Sequence, residues 1–115
     1  MLMMMTGLQK KLPMKYLDKY PNLKGIYITG SGVLGVCKSL QKANKIKDIK
    51  IIANDFINDN IQLLSNGTIN FLIGQDAYTQ GYQSIMLLFH KLFDNKNPDS
   101  KFAYTDIVIK NRFNI

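Results

Sequence analysis

The chain predicts an α/β fold, a three-layer, mostly parallel sheet with helices on both faces. Short apolar runs rich in β-branched and aromatic residues, Gly25 to Thr29, Ile49 to Ala53 and Ile69 to Ile73, alternate with stretches of helical spacing. The last of these runs carries almost no charge, which suits a strand covered on both faces better than a half-solvated one. The segment Asn66 to Tyr82, NGTINFLIGQDAYTQGY, then shows a helix stop, a strand and a new helix start in succession.

Taken in order, a helical pattern from about Met4 to Tyr20 carries Leu8, Leu12, Tyr16, Leu17 and Tyr20 on adjoining turns. Pro13 lies inside it and predicts a kink or a restart, because proline removes a backbone donor and clashes with the preceding turn. Pro21-Asn22 closes the helix. Gly25 to Thr29 is the first predicted strand, and Gly30 to Gly35 turns it into a helix running to about Lys45, with Val33, Val36, Cys37, Leu40 and Ala43 inward. Asn44 is the expected stop. Ile49 to Ala53 forms the next strand and ends on Asn54-Asp55, and Ile57 to Ser65 a shorter helix. Asn66-Gly67 stops that helix, since glycine tolerates the left-handed conformation of a helix end and asparagine comes next.

After the strand Ile69 to Ile73, the helix Tyr78 to Phe93 places Tyr82, Ile85, Met86, Phe89, Leu92 and Phe93 at i, i+3, i+4 spacing. Leu87 and Leu88 widen that face, so burial on more than one side is expected. Asn95 to Ser100 reads as a polar loop and Tyr104 to Ile109 as a last strand.

Composition bounds the rest. The 115 residues make one domain or part of one, and 46% are apolar, enough for a core. No run approaches the roughly 18 apolar residues of a membrane span, and MLMMMTGLQKK lacks the order of a secretory signal, so the chain reads as soluble and cytoplasmic. The single cysteine, Cys37, excludes an internal disulfide and is expected as a buried bystander. The net charge of +7 comes almost entirely from lysines scattered singly along the chain, with one arginine, Arg112. Without interleaved aromatics or a basic helix-turn-helix pattern, this reads as a solvated lysine-coated surface rather than a DNA face.

Right-handed crossovers keep the strands parallel, so the first three strands end on a common edge. That edge gathers Thr29, Gly30 and Ser31 from the first turn, Asp55 from the second and Gln75 from the third. A carboxylate accepts from two hydroxyls at once, and an amide donates and accepts, so Asp55 and Gln75 suit a neutral polyol such as a sugar. Asp55 could equally cap the helix that follows it. A competing pattern is Gly30-Ser31-Gly32-Val33-Leu34-Gly35, a G-x-G-x-x-G after a strand and opening a helix, with Asp55 twenty residues beyond Gly35. That is a dinucleotide fingerprint and would make the chain an NAD-binding Rossmann domain of an oxidoreductase. Against it, a helix precedes the strand and no hydride-transfer site follows.

The order GIYITGSGVLGVCKSL, IKIIANDF, NGTINFLIGQDAYTQGY, a helix, a polar loop and TDIVIKNRFNI resembles the C-terminal part of the LacI/GalR-type ligand-binding domain. That domain is shared with sugar-binding proteins of the periplasmic type. The likeness runs from Leu8 onward, and its most specific element is the spacing of Asp55, Gly67, Gln75 and Gln80-Gly81-Tyr82. The resemblance implies a single partial domain, one lobe of a two-lobed fold. Residues 1–75 and 104–115 correspond to the C-terminal lobe, and 76–103 to a helix and loop packing on an N-terminal lobe that these residues do not include.

It further implies that Asp55 holds sugar hydroxyls, that Gln75 is a hinge-proximal amide touching the ligand, and that one of Thr29, Gly30 and Ser31 makes a first-turn contact. The implied function is effector sensing in a transcriptional regulator, by ligand-induced closure. Its partners would be a small carbohydrate-like effector, a second copy of the chain, and DNA only through an N-terminal helix-turn-helix domain outside these residues; no membrane is involved. The alternative within the same fold is a periplasmic sugar-binding protein of a transport system. Two departures bear on the ligand: Gly-Ser-Gly stands where the family often has an Asn-Asp type pair, and Phe56 where an acid commonly follows the aspartate. The chain is expected to be a piece of a longer protein.

Beyond the G-x-G-x-x-G pattern, catalysis finds little support in the residues. His90 is the single histidine, no nucleophile has a partner, and no Cys/His cluster or calcium-loop spacing occurs. Neither an enzyme nor a cofactor is expected.

Overall fold

The computed structural model describes residues 2–5 and 14–115, with side chains from Tyr16 onward. The described elements are β1 (Leu2–Met5), α1 (Met14–Lys19), β2 (Gly25–Ile28), α2 (Val33–Lys42), β3 (Lys50–Asn54), α3 (Asn58–Ser65), β4 (Phe71–Gln75), α4 (Ala77–Phe93) and β5 (Ile107–Lys110). The strands form one open sheet in the order β1-β2-β3-β4-β5. The first three pairings are parallel, with Ile28 opposite both Met5 and Ala53, and Asn54 opposite Ile73. The fold is thus α/β with a mostly parallel open sheet and helices, as the alternation of apolar runs and helical stretches predicts.

Two compact units divide the chain: Met1–Gly74 with Ile109–Ile115, and Gln75–Val108. In the first, strands run in sequence order, and α1, α2 and α3 contribute to one core on a single face of the sheet. The core lies there. Ile26, Ile28, Ile51, Ala53 and Leu72 point from the strands into Val33, Val36, Cys37 and Leu40 of α2 and Leu63 and Leu64 of α3, with Leu17 and Tyr20 packed alongside. The opposite face is less covered: Tyr27, Ile52 and Ile73 are half-buried and Phe71 is exposed. Burial therefore alternates along β3 and β4 instead of being complete on both faces.

Chain reversals fall where the sequence places its stops. Asn44, just after α2, has φ 54, and Gly67, just after α3, has φ 79. A Cβ on Gly67 would make only ordinary contact, 3.5 Å, with Nη1 of Arg112, so the left-handed turn alone accounts for the glycine. Asn70 fastens the start of β4 to β3 twice: its N–H donates to the Ile51 carbonyl at 2.9 Å, and its Oδ1 accepts the Ile51 N–H at 2.8 Å.

The second unit contains α4. Asp76 caps it, Oδ1 accepting the Thr79 N–H at 3.0 Å and Oδ2 the Thr79 hydroxyl. Rings run along the helix, Tyr78 stacked near Tyr82 and Phe89 on Phe93 with centroids 4.8 Å apart. The loop after it is tied back by Lys91 Nζ donating to Asn97 Oδ1 at 2.6 Å.

Three expectations are corrected. The start of the chain is a strand, not the beginning of a helix: Leu2–Met5 pairs with β2. Leucine and methionine are strong helix formers, but an available strand edge overrides that preference. Of the expected helix, α1 is its described part, and Leu8, Leu12 and the kink at Pro13 lie outside the described residues. No residue of α4 is buried, whereas burial on more than one side was expected. The boundaries also move: β4 extends through Gly74 and Gln75, and β5 begins at Ile107 rather than Tyr104.

Candidate functional site

At the carboxyl edge of the first unit, the turn Thr29-Gly30-Ser31 follows β2 and Asp55 follows β3. Parallel register brings these two turns to the same edge. Gly32 takes φ 104 at the start of α2, which is the glycine requirement of that turn. Thr29 and Gly30 are half-buried and Ser31 is exposed.

Asp55 is held in the left-handed region, φ 72, which is uncommon for a residue with a side chain. Its N–H donates to the Ile73 carbonyl of β4 at 2.9 Å. The buried amide of Asn60, 2% exposed, donates from Nδ2 to the carbonyls of both Asn54 and Asp55, each at 3.0 Å. Asn54 in turn accepts the Tyr27 hydroxyl at 2.9 Å and donates to the Thr29 carbonyl at 3.4 Å. Asp55 does not cap α3: the N-cap position is Ile57 and carries no side-chain bond. The Asp55 residue is exposed, and no described side chain pairs with its carboxylate. Such a carboxylate is an available acceptor for hydroxyl donors.

Gln75 is the last residue of β4 and belongs to the second unit. There Gln80 Nε2 lies 3.4 Å from Gln75 Oε1 and donates to Thr105 Oγ1 at 2.8 Å. The helix-capping acid is the next residue, Asp76. Its bonds to the Thr79 side chain and N–H hold its carboxyl below the ordinary value.

Tyr27, Asn54 and Asn60 are the residues that sequence reasoning missed. Asn60 sits in a polar run, Asn58-Asp59-Asn60, where nothing marks which member turns inward; only the apolar spacing of Leu63 and Leu64 hints at it. The clefts at the opposite, amino-terminal edge include one of about 410 Å³ lined by Lys50, Gly67, Asn70 and Arg112, and contain none of the predicted site residues. Among the described residues, no group of three His, Cys, Asp or Glu side chains could hold a metal. Cys37 is buried in the core, where loss of water pushes its thiol up to about 11. In a dinucleotide fold the crevice opens where strand order reverses; here the G-x-G-x-x-G strand, β2, lies between β1 and β3 with no reversal.

A single open, mostly parallel sheet with polar turns at its carboxyl edge is the frame of a binding-protein lobe, and the chain belongs to the periplasmic binding protein domain family, whose model matches residues 11–96. Among solved structures it is similar to a protein assigned as a LacI transcriptional regulator from Bacteroides fragilis, with TM-score 0.77 and 28% identity over 88% of this chain and 34% of that one. It is also similar to AraP, an arabinose-binding protein from Geobacillus stearothermophilus, with TM-score 0.73 and 28% identity over 88% and 37%. GanP, a glucose-galactose binding protein from the same organism, shares the fold at TM-score 0.79 and 20% identity, over 89% and 36%. The chain therefore spans about a third of the length of these structures. No curated protein matches it in sequence.

Proposed function

We propose that the chain is the effector-sensing part of a LacI-type transcriptional regulator, working in the cytoplasm as a homo-oligomer and binding a small sugar or related polyol at the carboxyl edge of its sheet. The carrying observation is Asp55, fixed through its backbone on both sides while its carboxylate is left to accept ligand hydroxyls. One of Thr29, Gly30 and Ser31 contributes from the adjoining turn, and Gln75 from the end of β4. Ligand closure would shift the oligomer between DNA-binding and released geometries, with DNA read by a domain outside these residues. The similarity to the Bacteroides fragilis protein supports this reading.

The arabinose-binding protein, equally similar in sequence, favours a second reading as the solute receptor of a transport system. Titration calorimetry of the full-length protein against D-galactose, D-glucose and L-arabinose tests the shared part. Binding of one of them is expected, with Asp55→Ala and Gln75→Ala each weakening it by about 1 to 3 kcal/mol; unchanged affinity in both variants removes the assignment. A gel-shift assay with upstream DNA separates the two readings, the regulator predicting a shift that the bound sugar alters.

A further inference from the structure

We propose that Asn60 is a positioning residue: it sets the direction in which Asp55 presents its carboxylate, and it ties the Asp55 loop to the turn after β2. The ligand half of this inference rests on the reading of Asp55 just given. Asn60 is the one buried polar residue among the described residues. Its single amide group reaches two successive carbonyls, those of Asn54 and Asp55, at 3.0 Å each. Successive carbonyls of an extended strand point to opposite sides, so one donor group meets both only because Asp55 departs from the strand into φ 72.

That departure is uphill for aspartate and persists where the surroundings over-determine it. Asp55 is gripped at both ends, its N–H by the Ile73 carbonyl and its carbonyl by Asn60. The only part left unheld among the described contacts is the carboxylate. The grip also extends sideways. Asn54, whose carbonyl Asn60 holds, reaches with its own amide to the Thr29 carbonyl and accepts the Tyr27 hydroxyl. A line of hydrogen bonds thus runs from α3, through the end of β3, into the turn that carries Ser31. Burying an amide is costly unless its bonds are made, so Asn60 fixes both loops together or neither.

The test uses the full-length protein with Asn60→Ala and with Asn60→Asp, which keeps the shape but, when ionised, cannot donate to a carbonyl. Amide hydrogen exchange, read without ligand, is expected to quicken about tenfold or more at Asp55 while Ala53 in the same strand stays unchanged. Equal acceleration at both positions would mean only a loss of global stability and would overturn the proposal. With D-galactose or L-arabinose as probe, Asn60→Ala is expected to bind about tenfold more weakly. Combined with Asp55→Ala, it should add nothing to the loss caused by Asp55→Ala alone; fully additive losses overturn the coupling. Should the parent protein bind none of D-galactose, D-glucose and L-arabinose, the reading of Asp55 fails, and the exchange comparison alone decides whether Asn60 holds the loop.

Discussion

The ring of Phe56 occupies the place where Gly74 would carry a side chain: a Cβ built there would lie 2.0 Å from Cε2 and 2.3 Å from Cδ2 of Phe56. Gly74 is buried within β4, and Lys110 Nζ lies 5.8 Å from the centre of the same ring. Phe56 immediately follows Asp55, so the fit anchors the exit of the candidate loop as Asn60 anchors its carbonyl.

Gly74→Ala should accordingly destabilise the fold by about 1 to 3 kcal/mol, the usual range for overpacking. Urea denaturation of the variant checks it, and Phe56→Leu in the same background should return part of the loss. A Gly74→Ala protein as stable as the parent would show that the ring has somewhere else to go.

Cys37 supplies a pH prediction. Its folded thiol titrates at about 11, above the ordinary 9.0, because burial disfavours the thiolate. The stabilisation from keeping it neutral is complete below pH 9 and is lost as pH rises towards 11. At pH 8 the native protein should therefore react with a thiol reagent only as fast as it unfolds, and fast labelling without denaturant would contradict the burial.

Asp76 gives the opposite dependence. Its carboxyl is held below 3.8 by the Thr79 hydroxyl and N–H, so its capping contribution is present above that pH and fades as pH falls through the lowered value. Asp76→Ala should reduce helicity near the start of α4 at pH 7, seen in NMR shifts of Ala77 to Gln80, and the difference from the parent should shrink as the parent's carboxyl is protonated at low pH.

The apolar surface of α4 gives a prediction about association. Ile85 is 69% exposed, Leu92 68% and Phe93 74%, a continuous greasy surface that rarely stays open to water. Residues 1–115 produced alone should self-associate in sedimentation velocity, and Ile85→Lys with Leu92→Lys should shift them towards monomer. A clean monomer of the parent at high concentration would count against it.

Most of this architecture is legible in the sequence because strand and helix periods are local. GIYI, KIIAN and the spacing of Val33, Val36, Cys37 and Leu40 announce their elements, and Asn44 and Gly67 announce their turns. What escaped depends on neighbours distant along the chain. Leu2–Met5 is a strand only because β2 offers an edge, and α4 reads as a core helix because its composition is that of one. Asp55 stands out as an acid at the end of a strand, but its unusual backbone does not: aspartate tolerates φ 72 better than most residues without requiring it, and the bonds to Asn60 and Ile73 that accompany it are tertiary. The same holds for Gly74, whose requirement is the shape of Phe56, eighteen positions earlier.

The consecutive strand order has a kinetic corollary. From β1 to β4 each strand lies beside the one that precedes it in the chain, with one short helix among the described residues of each connection. Each of these three pairings therefore closes a loop of modest length, a topology that favours assembly by stepwise accretion. A nick in one of the inter-strand connections should slow the pairing of two neighbours and leave the remaining strand-helix-strand modules to form at their own pace.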